Sequence, residues 1–316
     1  MNRLMQNKQL KPLEGIIVPL VTPLSANGQI DIEGLNNLIE HVIEGGVHGI
    51  FILGTTGEAQ SLSMQQRMEM IKETSRILKN RLPLLVGISD TSINDSAALA
   101  QKAHEADAYA VVATPPYYFA TGQPELIEYF ENLVSLLPLP LFLYNMPVHT
   151  KVAFDAKSIK QIAQNEKVIG FKDSSANGTY LQTVMYTMRE KPDFMIFVGP
   201  EEMTAEMVLM GASGGVNGGA NLFPELYVEL YNAAKTRDIE KVKVLQRKVM
   251  QISTNIYSKG KYGSSYLKGL KCALSIAGIC KDFPAMPFSH FDKETKTEIE
   301  KAMKEIQTSL YAEIIR

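Results

Sequence analysis

Eight short apolar runs alternate with amphipathic stretches between residues 15 and 216 of this 316-residue chain. The runs are Gly15–Thr22, Gly49–Leu53, Leu84–Ile88, Ala108–Thr114, Leu139–Tyr144, Val168–Lys172, Met195–Val198 and Ser213–Val216. The stretches between them include Ile32–Glu44, Met64–Leu78, Asp95–Glu105, Glu125–Leu137, Ala156–Gln164, Tyr180–Arg189 and Thr204–Met210. Their apolar residues recur every three or four positions, and Asp, Ser or Asn often stands near a start, so they read as helices. Strands in strict alternation with helices make a parallel sheet, and eight of them point to a closed α/β barrel of the TIM (β/α)8 kind. A six-stranded doubly wound sheet with added elements is the competing architecture.

After the eighth run the pattern changes. Pro224–Thr236, Ile239–Tyr257, Ser264–Ile279 and Lys293–Ile315 read as helices with no strands between them. The expected organisation is an N-terminal segment, 1–14, a barrel, 15–235, and a C-terminal helical extension of the same domain, 236–316. A net charge of −2 without a basic run argues against nucleic acid as a partner. Residues 1–14 are polar without a hydrophobic signal core, and no apolar stretch approaches membrane-spanning length. Cys272 and Cys280 lie too far apart along one predicted helix to bridge, which suits a reducing cytoplasm. The five histidines show no metal-ligand spacing.

In a barrel of this kind the chemistry sits on loops that follow the strands. The sixth run ends Val168-Ile-Gly-Phe-Lys-Asp-Ser-Ser175, with Lys172 inside an apolar strand. Burying an ammonium is costly, so such a lysine either finds a partner or gives up its proton, and a neutral amine is the nucleophile that makes a Schiff base. A lysine that merely snorkels to water is the plain alternative. Gly54-Thr-Thr-Gly-Glu58 can hold a small anion with backbone N–H groups and hydroxyls, or be an ordinary Gly-rich turn. Thr114-Pro-Pro-Tyr-Tyr-Phe119 offers Tyr117 and Tyr118 on a stiffened backbone, and Tyr144-Asn-Met-Pro147 offers a phenol before a rigid turn. Either tyrosine group could equally be packing. Glu201 and Glu202 read as helix N-terminal charges or as mouth carboxylates, and Gly214–Gly219 lets backbone approach a ligand.

Gly54-Thr-Thr-Gly-Glu58, Tyr144-Asn-Met-Pro147 and Gly170-Phe-Lys-Asp-Ser174, in that order and at that spacing, resemble the dihydrodipicolinate synthase/N-acetylneuraminate lyase family. The resemblance spans residues 14 to 225 and the helical tail. It implies a pyruvate-handling lyase, homotetrameric and often a dimer of dimers, with no metal or organic cofactor. Lys172 is similar to the family's Schiff-base lysine and Tyr144 to its proton-shuttling phenol. Thr55 and Thr56 resemble the residues that bind the pyruvate carboxylate and link the tyrosines; Gly57 and Ser174 join the substrate-binding set through the same motifs. Tyr117 or Tyr118 matches the tyrosine supplied by a neighbouring subunit, and Val216 a position whose backbone carbonyl lies near the lysine.

Two positions depart from the best-known relatives. His149 stands where the synthases carry an arginine that grips aspartate semialdehyde, and histidine cannot form the bidentate fork. Glu201 and Glu202 are an altered form of the acidic pair of the neuraminate lyases, whose sugar-site serine corresponds to Gly218. The expectation is therefore a smaller hydroxylated or uncharged aldehyde rather than either of those substrates. Competing expectations are dihydrodipicolinate synthase proper, a dehydratase of a sugar-derived 2-oxo-3-deoxy acid, and an anion-binding barrel without catalysis.

Overall fold

Runs of Val, Ile, Leu and Phe that are apolar on both faces become strands covered by helices outside and by side chains inside. In the computed structural model, which describes residues 12–314, they are β1 (Gly15–Pro19), β2 (Gly49–Ile52), β3 (Leu84–Gly87), β4 (Ala110–Ala113), β5 (Leu141–Asn145), β6 (Val168–Asp173), β7 (Met195–Val198) and β8 (Gly214–Gly215). All neighbours pair in parallel, in chain order, and β8 closes on β1. The structure is thus the TIM barrel rather than the doubly wound sheet. Of the expected segment 1–14, residues 1–11 lie outside the described residues, as does Ile315 of the last predicted helix.

The helices that cover the barrel are α1 (Ile32–Glu44), α2 (Met64–Leu78), α3 (Ile93–Glu105), α4 (Gln123–Leu136), α5 (Pro147–Thr150), α6 (Ala156–Ile162), α7 (Gly178–Met188) and α8 (Thr204–Leu209). They are followed by α9 (Pro224–Lys235), α10 (Ile239–Ile252), α11 (Ser265–Ile276) and α12 (Lys293–Ile314). Side-chain caps set several starts. Asp31 accepts from the Gly34 N–H, and Ser63 with Gln66 forms a capping box. The predicted helix Ile239–Tyr257 is not uniform: after Ile252 it widens into a π-helical turn, Ser253–Tyr257. Among the described residues no helix is long and apolar enough to cross a membrane.

Two apolar layers result. Outward strand residues such as Ile16, Ile50, Val86, Leu143 and Phe171 join the helices in one large cluster, which also takes in Ile256, Leu270 and Met303 of the C-terminal helices. Inward residues, among them Ile17, Phe51, Leu85, Phe142, Tyr144, Phe197 and Val216, fill the barrel separately.

The β5–β6 seam breaks the simple alternation. Leu141 pairs with Val168, yet Phe142 pairs with Gly170, so Ile169 is an extra residue in β6. Without that bulge Tyr144 would stand beside Phe171; with it, Tyr144 stands beside Lys172. Gly170 makes the bulge possible. A Cβ there would overlap the Phe142 ring and lie 2.6 Å from the Met195 carbonyl oxygen. Gly170→Ala is therefore expected to lower stability by about 1–3 kcal/mol, the usual scale of overpacking, and to cost activity through the displaced strand. Urea unfolding and turnover measure both, and an unchanged midpoint would remove Gly170 from this role.

Candidate active site

Lys172 enters the barrel interior because the bulge turns it inward, opposite Tyr144 on β5. Both are almost wholly buried, at 6% and 3% exposure. Nζ of Lys172 stands 4.0 Å from the centroid of the Tyr144 ring and 5.2 Å from that of Phe51. Aromatic faces stabilise positive charge, so the same seat suits an ammonium or an iminium at that nitrogen. Burial raises the Tyr144 phenol, but the charge of Lys172 and hydrogen bonds with Thr55, Ser174 and Lys172 outweigh it, leaving it below the usual tyrosine range. A phenol so placed gives up and takes back a proton more readily than an isolated one.

The seam is locked beyond the pair. Asn145 Nδ2 donates to Asp173 Oδ1 at 2.8 Å, joining the ends of β5 and β6, while Asn145 Oδ1 accepts from the Phe154 N–H. Burial raises the Asp173 carboxyl, against the hydrogen bonds from Asn145 and Ser175 and the charge of Lys172. Its oxygens serve this lock, with Ser175 Oγ donating at 2.8 Å.

The loop after β2 supplies the hydroxyls. Leu53 and Glu58 both take left-handed φ angles, 58° and 55°, around Gly54-Thr-Thr-Gly57. Such angles are strained for side chains of this size and persist only where packing enforces them. Leu53 is 2% exposed, and the Gly57 carbonyl accepts from Thr22 Oγ1 at 2.7 Å. The tight turn presents two adjacent threonines in different directions. Thr55 Oγ1 lies 3.2 Å from the Tyr144 hydroxyl, and Thr56 Oγ1 lies 3.1 Å from that of Tyr266 on α11.

Thr55 also faces a cavity of about 600 Å³ at the mouth, with Thr114, Tyr117, Met146, His149, Tyr262, Tyr266, Leu267 and Phe288 on its walls. The structure separates the two candidate tyrosines: Tyr117 lines this cavity, whereas Tyr118 is 73% exposed. His149, on the four-residue helix α5, is at the mouth wall. Val216 sits in the interior cluster with Tyr144 and Phe197. Glu201 is instead sealed behind the β8 loop: Oε1 accepts from Tyr227 at 2.6 Å and Oε2 from the Gly219 N–H at 2.8 Å. Burial pushes its carboxyl up to about 7, against those hydrogen bonds, with the charge of Glu202 adding to the rise. Its two oxygens thus tie α9 to the β8 turn.

The C-terminal helices also contribute to the site, which the loops after the strands give no sign of. Tyr262, just before α11, and Tyr266 and Leu267, in its first turn, reach the cavity from the tail, which the barrel pattern does not mark. Glu58 closes the Gly54-Thr-Thr-Gly-Glu58 motif and is held from the tail. It forms an ion pair with the buried Lys271 of α11, and its Oε1 accepts from the Ala285 N–H at 2.6 Å.

Known proteins resemble this chain over most of its length. The structure of dihydrodipicolinate synthase from Bacteroides thetaiotaomicron is 64% identical, with a TM-score of 0.91 over 93% of this chain and 99% of that one. The prophage protein YagE of Escherichia coli K12, solved in complex with pyruvate, is 27% identical, with a TM-score of 0.88 over 93% of this chain and 98% of its own. The probable 2-dehydro-3-deoxy-D-pentonate aldolase YjhH of Escherichia coli is 31% identical over 77% of this chain and 81% of its own. The model of the dihydrodipicolinate synthetase family matches residues 12–306. On that match and the closed barrel beneath it, the chain belongs to the dihydrodipicolinate synthetase family and is a carbon–carbon lyase of that family.

Proposed function

We propose that Lys172 forms a Schiff base with pyruvate, and that the enzyme uses it to make or break a bond to an aldehyde. The observation that carries this reading is the Tyr144–Lys172 pairing, with Thr55 linking the phenol to the Gly54–Gly57 turn. As a free amine, Nζ adds to the pyruvate carbonyl carbon. The carbinolamine oxygen leaves as water after taking a proton from Tyr144, and an iminium remains. The iminium accepts electrons as the methyl carbon loses a proton, giving an enamine. That carbon attacks the aldehyde, whose oxygen is protonated, and water releases the lysine. In reverse, the bond between C3 and C4 of a 4-hydroxy-2-oxo acid breaks. Thr55, Thr56 and Gly57 would hold the carboxylate, Ser174 would keep its hydroxyl on Tyr144, and Val216 would present its carbonyl near the nitrogen.

Borohydride reduction with pyruvate present is expected to add a pyruvate-derived mass to Lys172 alone, read by peptide mass spectrometry. Lys172→Arg should abolish labelling and turnover, since arginine stays charged. Tyr144→Phe should slow turnover by roughly 10²- to 10⁴-fold, the usual worth of general acid–base catalysis. Labelling that persists in Lys172→Arg would place the imine elsewhere.

For the aldehyde, we infer an uncharged hydroxylated partner, as in cleavage of a 2-oxo-3-deoxy sugar acid. Among the described residues lining the mouth cavity there is no lysine or arginine to meet a second carboxylate, and much of its wall is aromatic or aliphatic. The likeness to YjhH supports the same class. A second reading, aspartate semialdehyde, is favoured by the 64% identity to a protein described as dihydrodipicolinate synthase. Steady-state kinetics separate them. A kcat/KM for aspartate semialdehyde at or above about 10⁴ M⁻¹s⁻¹, within the ordinary range for an enzyme on its own substrate, would overturn the uncharged partner. A coupled pyruvate-release screen over sugar-derived 2-oxo acids should instead yield the better substrate, and one that loses water without releasing pyruvate would mark a dehydratase.

The free, buried thiols of Cys272 and Cys280 support a reducing, cytoplasmic setting. We also propose a homotetramer in which Tyr118 is the tyrosine offered to a neighbouring subunit. Tyr118 and Phe119 are 73% and 77% exposed and stack edge to face at 5.0 Å, an aromatic pair left bare beside the mouth. Sedimentation should report a tetramer, with Phe119→Asp shifting it to smaller species. A monomeric wild-type enzyme with full activity would contradict this assembly.

A further inference from the structure

We propose that Tyr266, carried by α11, is a positioning residue that directs the Thr56 hydroxyl onto the carboxylate of the 2-oxo acid. The inference rests on the reading that pyruvate's carboxylate lies on the Gly54–Gly57 turn. Each of the two adjacent threonines there meets a different phenol. Thr55 meets Tyr144, beside the reacting nitrogen; Thr56, 7% exposed, meets Tyr266 at 3.1 Å. A threonine hydroxyl has one proton to donate and lone pairs to accept with. If Tyr266 donates to Thr56 Oγ1, the threonine proton is free to point at an anion. Burial first, and then the charge of Glu201, hold the Tyr266 phenol well above the usual range, so it keeps the proton this arrangement needs.

The surroundings fix Tyr266 with little freedom. Its ring stacks edge to face on Tyr257 of the π-helical turn, with centroids 4.8 Å apart. Its hydroxyl rests on the backbone of Gly218, where any Cβ would overlap it and lie 2.8 Å from Cζ. The Gly218–Gly219 turn is itself held by Glu201 through the Gly219 N–H. Five residues further along α11, Lys271 pairs with Glu58 and also donates to the Phe283 carbonyl at 2.9 Å. Helix α11 is thus tied to the anion-binding turn at both Thr56 and Glu58. A phenol needed only to fill space would require neither the contact with Thr56 nor a bare glycine beneath its oxygen.

The test compares two ketones that differ in charge. Borohydride trapping at Lys172 is titrated with pyruvate and with its neutral methyl ester, in wild type, Tyr266→Phe and Gly218→Ala. Tyr266→Phe removes the donor, and Gly218→Ala keeps the phenol but pushes it off Thr56. In both variants the concentration of pyruvate for half-maximal trapping should rise roughly 10-fold, the scale of one hydrogen bond to a charged group, while that of the ester stays nearly unchanged. In a Thr56→Val background neither change should add a further loss. Equal losses for pyruvate and ester, or additive losses with Thr56→Val, would reduce Tyr266 to packing and overturn the inference alone. Failure of the wild type to trap pyruvate at all would overturn the underlying reading and this inference with it.

Discussion

A single extra residue in β6 decides which side chain the barrel interior receives. Parallel strands alternate their side chains with period two, so a slip of one residue exchanges inside and outside. With Ile169 bulged, Lys172 and Tyr144 share the interior, and Phe171 turns out to pack against Phe154 and Tyr180. In unbroken register the large apolar Phe171 would face Tyr144, and the lysine would be driven into the helix layer. The bulge needs a residue without a side chain next to it, and Gly170 supplies one against Phe142. The proposed chemistry therefore depends on a backbone irregularity at least as much as on the identity of the nucleophile.

The second dependence runs through the C-terminal helices. The strained turn after β2 is short and carries two threonines, yet it does not stand alone. Glu58 and Lys271 form a fully buried ion pair, and each also binds backbone of the Phe283–Ala285 segment. Desolvating two charges is expensive, and their mutual attraction and added hydrogen bonds compensate only when geometry is good. Such a pair is weak as a source of stability, but its directional bonds define where α11 sits relative to the turn. Glu201 plays a comparable part on the other side. Its buried carboxyl, raised to about 7, ties Tyr227 and the Gly219 N–H together beneath Tyr266.

Much of this was legible from residue patterns. Eight strands in order follow from eight apolar runs, and α1 and α2 have the boundaries their periodicity predicts, Ile32–Glu44 and Met64–Leu78. Strand ends were less legible. Gly15–Thr22 reads as one run, but the strand stops at Pro19, and Ser213–Val216 contracts to Gly214–Gly215. The π-helical turn at Ser253 leaves no mark in an apolar repeat that continues to Tyr257. Lys172, Tyr144, Thr55 and Thr56 stand out because each lies in the last residues of a barrel strand or just past its end, where loops converge. Tyr266 does not, since a tyrosine in a helix of the tail has no place in that template until the tail is folded back. The bulge left one trace, a lone glycine within a strand, which by itself could equally mark any close backbone approach.

In the proposed chemistry the β5–β6 seam and the turn after β2 form one site, with the nitrogen of Lys172, the phenol of Tyr144 and the Gly54–Gly57 turn serving a single ligand. The crystal structure of the enzyme soaked with pyruvate tests this most directly. Continuous density is expected from Lys172 Nζ to the pyruvate C2, with the carboxylate on Thr55, Thr56 and their backbone N–H groups and the Tyr144 hydroxyl within hydrogen-bonding distance of the adduct. An adduct at another lysine, or one at Lys172 whose carboxylate points away from the Gly54–Gly57 turn, would contradict it.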